Sequence, residues 1–241
     1  MISCVMPTYN QEKFIKQAID SILAQTHMDF ELIIVDDGST DHTSAIIETY
    51  SDPRIKKIRK PNGGTGDALN LGFSYATGKY ETWFASDNVL YQTAFERLAG
   101  FLDRMPHVDY VYANCDIGVM AADGLREESR KNLSQEVDQT WNREKLFKHY
   151  FLGIVWLWLR ELREKAGPFQ SEPCEDYDAV LRMADAGGRF AFLNENLGWF
   201  RRHKANMTNK IMKDPRTGGN PHFYSRLVQE KSRERLAKCK A

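Results

Sequence analysis

Cysteine is scarce in this chain: Cys4, Cys115, Cys174 and Cys239 are the four among 241 residues, and no two form a C-x-x-C pair. That spacing excludes a zinc knuckle or a thioredoxin-like motif, and fits reduced thiols in the cytoplasm better than a disulfide framework. An excess of charge of one sign is also missing, since Lys+Arg and Asp+Glu both number 33. No global field draws the chain to nucleic acid or anionic lipid, although a local basic pocket for one diphosphate stays open. Long apolar runs are missing too. The most apolar stretch, Tyr150 to Leu159, is about half the ~20 residues a spanning helix needs. Arg160, Arg163 and Lys165 follow at once. The start, Met1 to Met6 and then Pro7, carries neither a basic n-region nor a long apolar h-region, so no signal peptide is expected. The expected place is the cytoplasm, in solution or touching the inner membrane through a surface.

What is present is an ordinary globular composition, 42% hydrophobic and 12% aromatic, long enough for one large α/β domain with or without an appendage. Ile2–Met6 reads as a buried strand ended by Pro7. Residues 11–26 carry Phe14, Ile15, Ala18, Ile19, Ile22 and Leu23 at helical spacing. F-E-L-I-I-V over Phe30–Val35 is a second strand, followed by Asp36-Asp37-Gly38-Ser39-Thr40-Asp41. Thr40 or Asp41 can cap a helix running to about Tyr50. Ile55–Arg59 is an edge-like strand. The loop Pro61-Asn62-Gly63-Gly64-Thr65-Gly66 leads into a helix, and Glu81–Ala85 forms a strand with Ser86-Asp87-Asn88 at its carboxyl end. This alternation predicts a parallel, doubly wound sheet over the first 115 residues. In such sheets ligands bind beyond the carboxyl ends of the strands, where Tyr9, Asp36-Asp37 and Asp87-Asn88 all fall.

The second half is less regular. Residues 120–145 are polar and read as a connection. From Glu144 the pattern is helical up to the acidic block Glu172–Asp178, whose continuation is a helix closed by Gly187-Gly188. Phe190–Leu193 and Leu197–Phe200 read as short strands, Lys213–Pro221 as a loop, and His222 to Lys238 as a basic helix. Trp156 and Trp158 sit in an apolar run and are expected in the core.

Consecutive carboxylates after an apolar strand are costly to bury, so Asp36 and Asp37 should face a cleft. There a carboxylate can accept from a nucleobase N–H or a ribose hydroxyl, and Tyr9 can stack on a base. The alternative is that one Asp caps the next helix and Tyr9 only packs. Asp87 offers a hard oxygen ligand for a divalent cation, or closes a plain turn. Glu175-Asp176-Tyr177-Asp178 places acids in a first helical turn. Such acids stabilise helices in any protein, and could also supply a base. Arg202 and His203 can contact a diphosphate, or stand in solvent.

The run V-M-P-T-Y-N-Q-E-K-F-I-K-Q-A-I-D-S-I-L-A-Q-T with F-E-L-I-I-V-D-D-G-S-T-D, the loop N-G-G-T-G-D-A-L-N-L-G, and the strand G-K-Y-E-T-W-F-A-S-D-N stand in that order. Together they resemble the successive blocks of the family 2 inverting glycosyltransferases. The likeness is dense over residues 1–115 and looser over 150–203. It implies a GT-A fold, a doubly wound, mostly parallel α/β sheet flanked by helices. Residues 1–203 would form the transferase domain, with a nucleotide-binding half (1–115) and an acceptor-binding half (116–203), before a loop and basic helix (204–241).

The resemblance further implies that Pro7, Tyr9 and Asp37 line a base pocket, most often for uracil, with Asn62, Gly63 and Asp87 also on the nucleotide. Asp176 would be the base that activates an acceptor hydroxyl, and Glu175 would orient that acceptor. Arg202 and His203 would contact the diphosphate. Mn²⁺ or Mg²⁺ would rest on Asp87, Asn88 and His203. The family's D-x-D acids are reduced here to Ser86-Asp87-Asn88, with Ala85 ahead, which puts metal dependence in doubt. The implied partners are a nucleotide-sugar donor, most often a UDP-sugar, and a glycan, lipid-linked or small-molecule acceptor in polysaccharide biosynthesis. Nucleic acid is not expected; the basic C-terminal helix could meet a membrane surface or simply be solvated. A nucleotide-sugar-binding module that has lost turnover is the alternative, motivated by Ala85 and Asn88. A nucleotidyltransferase is weaker, because its basic glycine-rich loop near the N-terminus is absent.

Overall fold

The computed structural model describes residues 1–119, 131–132, 141–148, 152–171, 174–203, 206 and 223–238. Two seven-residue runs, every member buried, form β1 (Ile2–Thr8) and β2 (Phe30–Asp36). Such continuous apolar runs suit parallel strands covered by helices on both faces. β1 pairs in parallel with β2 and with β4 (Tyr80–Trp83), and β2 pairs with β3 (Ile55–Arg59). Helices α1 (Ile15–Leu23), α2 (Thr43–Glu48) and α3 (Thr65–Ser74) lie between these strands in sequence.

The sheet then becomes mixed. Its order is β3-β2-β1-β4-β8-β6-β9-β5, with β7 added on β6. The new strands are β5 (Val89–Leu90), β6 (Tyr110–Val119), β7 (Lys131–Asn132), β8 (Val155–Leu159) and β9 (Phe190–Arg202). β8 runs antiparallel to both its neighbours, β4 and β6, whereas β9 runs parallel to β6. The remaining helices are α4 (Ala94–Arg104), α5 (Arg143–Lys148), α6 (Arg160–Ala166), α7 (Glu175–Asp185) and α8 (Phe223–Lys238).

Two hydrophobic clusters fill the two sides of the sheet. One joins Ile15, Ile19, Ile22, Phe95 and Leu98 to inward residues of β1 and β2. The other joins Leu69, Phe73, Leu162, Tyr177 and Leu181 to Val5, Ile33 and Tyr110. Gly72 allows α3 to lie close on β1, since a Cβ there would stand 2.3 Å from a Val5 methyl. Two buried acids pin the sheet end opposite the cleft. Glu31 accepts from Ser3 Oγ at 2.7 Å, Lys56 Nζ at 2.6 Å and Thr77 N–H at 2.7 Å. Glu81, fully buried, pairs with Arg160 and Arg163 of α6.

Several sequence expectations need correction. β1 continues through Pro7 to Thr8, because β4 pairs only Ile2–Val5 and leaves β2 as Pro7's sole strand neighbour. The helical pattern expected after Glu144 breaks at β8, where V-W-L-W-L is a central strand; a short run buried on both sides cannot be assigned by periodicity. β6 was not anticipated, and the two short strands near the end are one, β9, with register irregularities against β6. Trp156 and Trp158 are buried as expected, the latter stacked on Tyr110. The loop expected over Lys213–Pro221 lies outside the described residues. Among the described residues, no helix is long and apolar enough to cross a membrane.

Candidate active site

A cleft of about 410 Å³ opens at the carboxyl ends of β1, β2 and β4. Pro7 comes to it from β1, Tyr9 and Asp37 from just past the ends of β1 and β2, and Ala85 and Asp87 from the loop after β4. Asn62, Gly64, Thr65 and Gly66 close one wall, and Ser171 and Glu175 another.

The loops after β1 and β2 are stitched together. Asn10, at φ 53°, accepts the Thr40 N–H through Oδ1 at 2.8 Å, while its own N–H donates to Ser39 Oγ at 3.0 Å. Asp41 accepts the N–H groups of Thr43 (2.9 Å) and Glu12 (3.1 Å). The two adjacent aspartates then divide. Asp36 takes the structural part: its Oδ1 accepts the Ser39 N–H at 2.9 Å and its Oδ2 the Ser44 hydroxyl. Asp37 lines the cleft and holds the glycine loop. Its Oδ1 accepts from Lys60 Nζ at 2.7 Å and Gly63 N–H at 2.9 Å, and its Oδ2 from Gly64 N–H at 2.8 Å. Burial works against the Lys60 charge, but Asp37 and Asp67 outweigh it and raise its pKa. Gly63 is not among the cleft residues, whereas Asn62 is.

At the far end of the cleft Asp87 Oδ2 meets His203 Nε2 at 3.1 Å. Asn206 braces this pair, accepting the His203 N–H through Oδ1 at 2.6 Å and directing Nδ2 to Asp87 at 3.4 Å. Asn88 does not join them. It is buried, its Oδ1 accepts the Arg201 N–H at 3.0 Å, and it is not among the cleft residues. Arg202 is not among the cleft residues either. Alternation along β9 leaves Arg202 exposed and sends Arg201 inward, buried between Phe14 and Trp199. Burial lowers the Arg201 pKa, and the Asp87 charge pulls it back in part.

The acidic pair at the start of α7 also divides. Glu175 lines the cleft, and burial together with the Asp176 charge pushes its carboxyl up to about 8. Asp176 is not a lining residue; its Oδ1 accepts the Tyr177 N–H at 2.7 Å. Burial holds the Tyr110 hydroxyl well above its ordinary pKa, and the Asp176 charge adds to that rise.

A family profile described as Glycosyl transferase family 2 matches residues 3–156. The chain belongs to this family. An uncharacterized glycosyltransferase of Rickettsia prowazekii, RP339, is 35% identical over 147 residues, 61% of this chain and 44% of its own length. The uncharacterized glycosyltransferase alr2836 of Nostoc is 30% identical over 216 residues, 85% of this chain and 66% of its own. The chain thus spans a little under half the length of the Rickettsia relatives from R. prowazekii and R. typhi. Among solved structures, S. aureus TarS 1-349 in complex with UDP-GlcNAc superposes with a TM-score of 0.69 at 22% identity, over 85% of this chain and 59% of TarS. The mannosyltransferase PcManGT of Pyrobaculum calidifontis, in complex with GDP-Man and Mn²⁺, gives 0.64 at 18% identity over 99% and 74%. At these identities the likeness is one of fold, and the fold is GT-A-like.

In this family 2 domain several cleft residues escaped the sequence reading. Trp83 lines the cleft with Ala85 and Asp87, and the period-two alternation along β4 is the signal that could have found it. Its ring leans on Trp156, 5.5 Å between centroids. Gln11 and Ser171 carried no pattern. Asn206, three residues after His203, is recognisable only from the hydrogen bonds it makes.

Proposed function

We propose that this glycosyltransferase domain moves a sugar from a UDP-sugar to an acceptor hydroxyl with inversion at the anomeric carbon. The observation that carries the reading is the single cleft in which Asp37, Asp87 and Glu175 meet beyond the strand ends. Tyr9, 38% exposed at the rim, offers a ring face to a base. Asp37 has about four acceptor positions, and three are used by Lys60, Gly63 and Gly64. One remains on Oδ2, which suits the single N–H of uracil better than the paired donors of guanine. TarS, with UDP-GlcNAc in its structure, agrees with that choice.

Asp87 and His203 fit a divalent cation of the Mg²⁺ or Mn²⁺ type, which takes one or two protein ligands and completes its shell with water and phosphate. When bound, such a cation neutralises charge on the diphosphate. Among the described residues there is no cluster of three or more His, Cys, Asp or Glu, so the protein's share of the shell is small. In the transfer the acceptor oxygen attacks the anomeric carbon from the face opposite the diphosphate. The bond to the diphosphate oxygen breaks, UDP departs with that electron pair, and a carboxylate takes the hydroxyl proton. Asp176 is the assigned base by family resemblance. Glu175, protonated below about pH 8, donates a hydrogen bond to the sugar or acceptor.

One observation favours a second assignment of the base: Glu175, not Asp176, lines the cleft. Purified protein with Mn²⁺ and a panel of UDP- and GDP-sugars tests the reading, with release of UDP or GDP as the readout. Asp176→Asn should abolish release while UDP still binds, and Glu175→Gln should retain measurable turnover. The opposite pattern moves the base to Glu175. Tight donor binding without release from any sugar would replace transfer by a binding role. The acceptor is a glycan, a lipid-linked saccharide or a small molecule bearing a free hydroxyl.

A further inference from the structure

Three positions on one face of α3 grip two consecutive residues of a distant segment. Asn70 spans both backbone groups of Phe169: its Nδ2 donates to the Phe169 carbonyl at 2.9 Å and its Oδ1 accepts the Phe169 N–H at 2.8 Å. Four residues earlier, Gly66 leaves room for the Gln170 carbonyl, which a Cβ would meet at 2.0 Å. Three residues later, the Phe73 ring stacks on Phe169 with centroids 5.5 Å apart and planes 6° from parallel. Spacings of four and three put all of them on one stripe of the helix. Asn is a weak helix former, since its amide competes for backbone groups. In α3 that amide is spent on a segment 99 residues away.

The gripped segment leads into the cleft. Ser171 follows Gln170 and lines the cleft wall, and Glu175 lines it at the first turn of α7. The other end of α3 begins at Thr65, directly after the loop that Asp37 holds by Gly63 and Gly64. The nucleotide-side loop and the wall carrying Ser171 and Glu175 are therefore registered on one helix. We propose that Asn70 is a positioning residue: through Phe169 it sets where Ser171 and Glu175 stand relative to the donor-side loop. The inference rests on the proposed sugar transfer. Gly66 accordingly serves this register, and its missing Cβ makes way for the chain's own Gln170 carbonyl.

Transfer between two bound molecules is sensitive to displacements of ~1 Å, whereas donor binding on the Asp37 side is not touched by this wall. In Asn70→Ala, kcat for sugar release should fall by at least about tenfold, with calorimetric UDP affinity held within about twofold. Gly66→Ala displaces the same segment by a different route. A double variant should then lose less than the product of the single losses, because both act through one contact. Hydrogen exchange at the Phe169 amide should quicken in Asn70→Ala. Unchanged kcat in both single variants overturns the proposal. So does a kcat loss that is multiplicative in the double variant, or one matched by an equal loss of UDP affinity. If the parent protein releases sugar from no donor, the transfer reading fails, and the register is read instead from the Glu175 titration by carboxyl NMR. A titration moved by Asn70→Ala supports the positioning role, and an unmoved one overturns it.

Discussion

Asp87 Oδ2 and His203 Nε2 stand 3.1 Å apart across 116 residues of chain, one in the loop after β4 and the other just past the end of β9. The sheet order separates β4 from β9 by β8 and β6, so the contact is made by the loops beyond the strands. It brings an imidazole onto Asp87, which lines the same cleft as Asp37 and Glu175.

If this pair holds a cation, UDP should bind at least about tenfold more tightly with Mn²⁺ than without it, since the cation would neutralise charge on the diphosphate. Asp87→Ala and His203→Ala should each remove that gain while leaving metal-free UDP affinity near the parent value. Asn88→Ala should alter the gain much less, because its amide oxygen is engaged by the Arg201 N–H. Calorimetry with and without Mn²⁺ checks all three, and equal parent affinities in both buffers would refute the metal site.

The acidic pair makes stability depend on pH in a defined direction. Glu175 has its carboxyl raised from 4.5 to about 8 by burial and by the Asp176 charge. The folded chain therefore keeps a proton that the unfolded chain has lost, and this contribution is fully present below pH 4.5 and lost as pH rises through about 8. Glu175→Gln cannot ionise. Its Tm relative to the parent should increase from about pH 5 to about pH 9, measured by thermal melts across that range.

Asp37 holds three donors at once, so its removal should act on structure and binding together. Asp37→Ala leaves the Gly63 and Gly64 N–H groups without their acceptor, while Lys60 keeps Asp67. A loss of about 1 kcal/mol in stability follows from part-buried donors that lose their acceptor, together with a loss of UDP affinity of at least about tenfold. Asp37→Asn should recover part of the affinity. Denaturant midpoints and UDP titration distinguish the two effects.

Glu31 works in the opposite sense to Glu175. Burial opposes its charge, but Lys56, Ser3 and Thr77 outweigh that and hold the carboxyl down to about 2. The stability it contributes is present above its ordinary 4.5 and is lost as pH falls through about 2. Glu31→Gln should lower the urea midpoint at pH 7, by roughly 2 kcal/mol in stability. The difference from the parent should vanish near pH 2.

Glu81 is fully buried and meets two arginines, so truncation strands cations at the α6–β4 junction. Glu81→Ala should cost about 3–5 kcal/mol. A paired change of Arg160 and Arg163 to Met with Glu81→Leu should recover much of it, as read from chemical denaturation.

The parallel half of the fold was legible because its strands are unbroken apolar runs, F-E-L-I-I-V above all, separated by helices of clear period. The same runs end in Pro7, Asp37 and Asp87, and acids after a buried strand must face an opening; that much local chemistry dictates. β8 was not legible, since V-W-L-W-L buries both faces and shows no period. The division of labour within neighbouring pairs was hidden as well. Asp36 closes a turn while Asp37 holds a loop; Arg201 turns inward while Arg202 turns out; Glu175 lines the cleft while the Asp176 charge bears on Tyr110. Each such choice is a difference of one residue in register, set by which face a strand or helix buries. The sequence by itself determined the family, the sheet's parallel core and the residues able to do the chemistry. Tertiary structure alone decided which member of each pair reaches the cleft, because side-chain direction follows from packing against elements as much as 187 residues away, as Arg201 and Phe14 show.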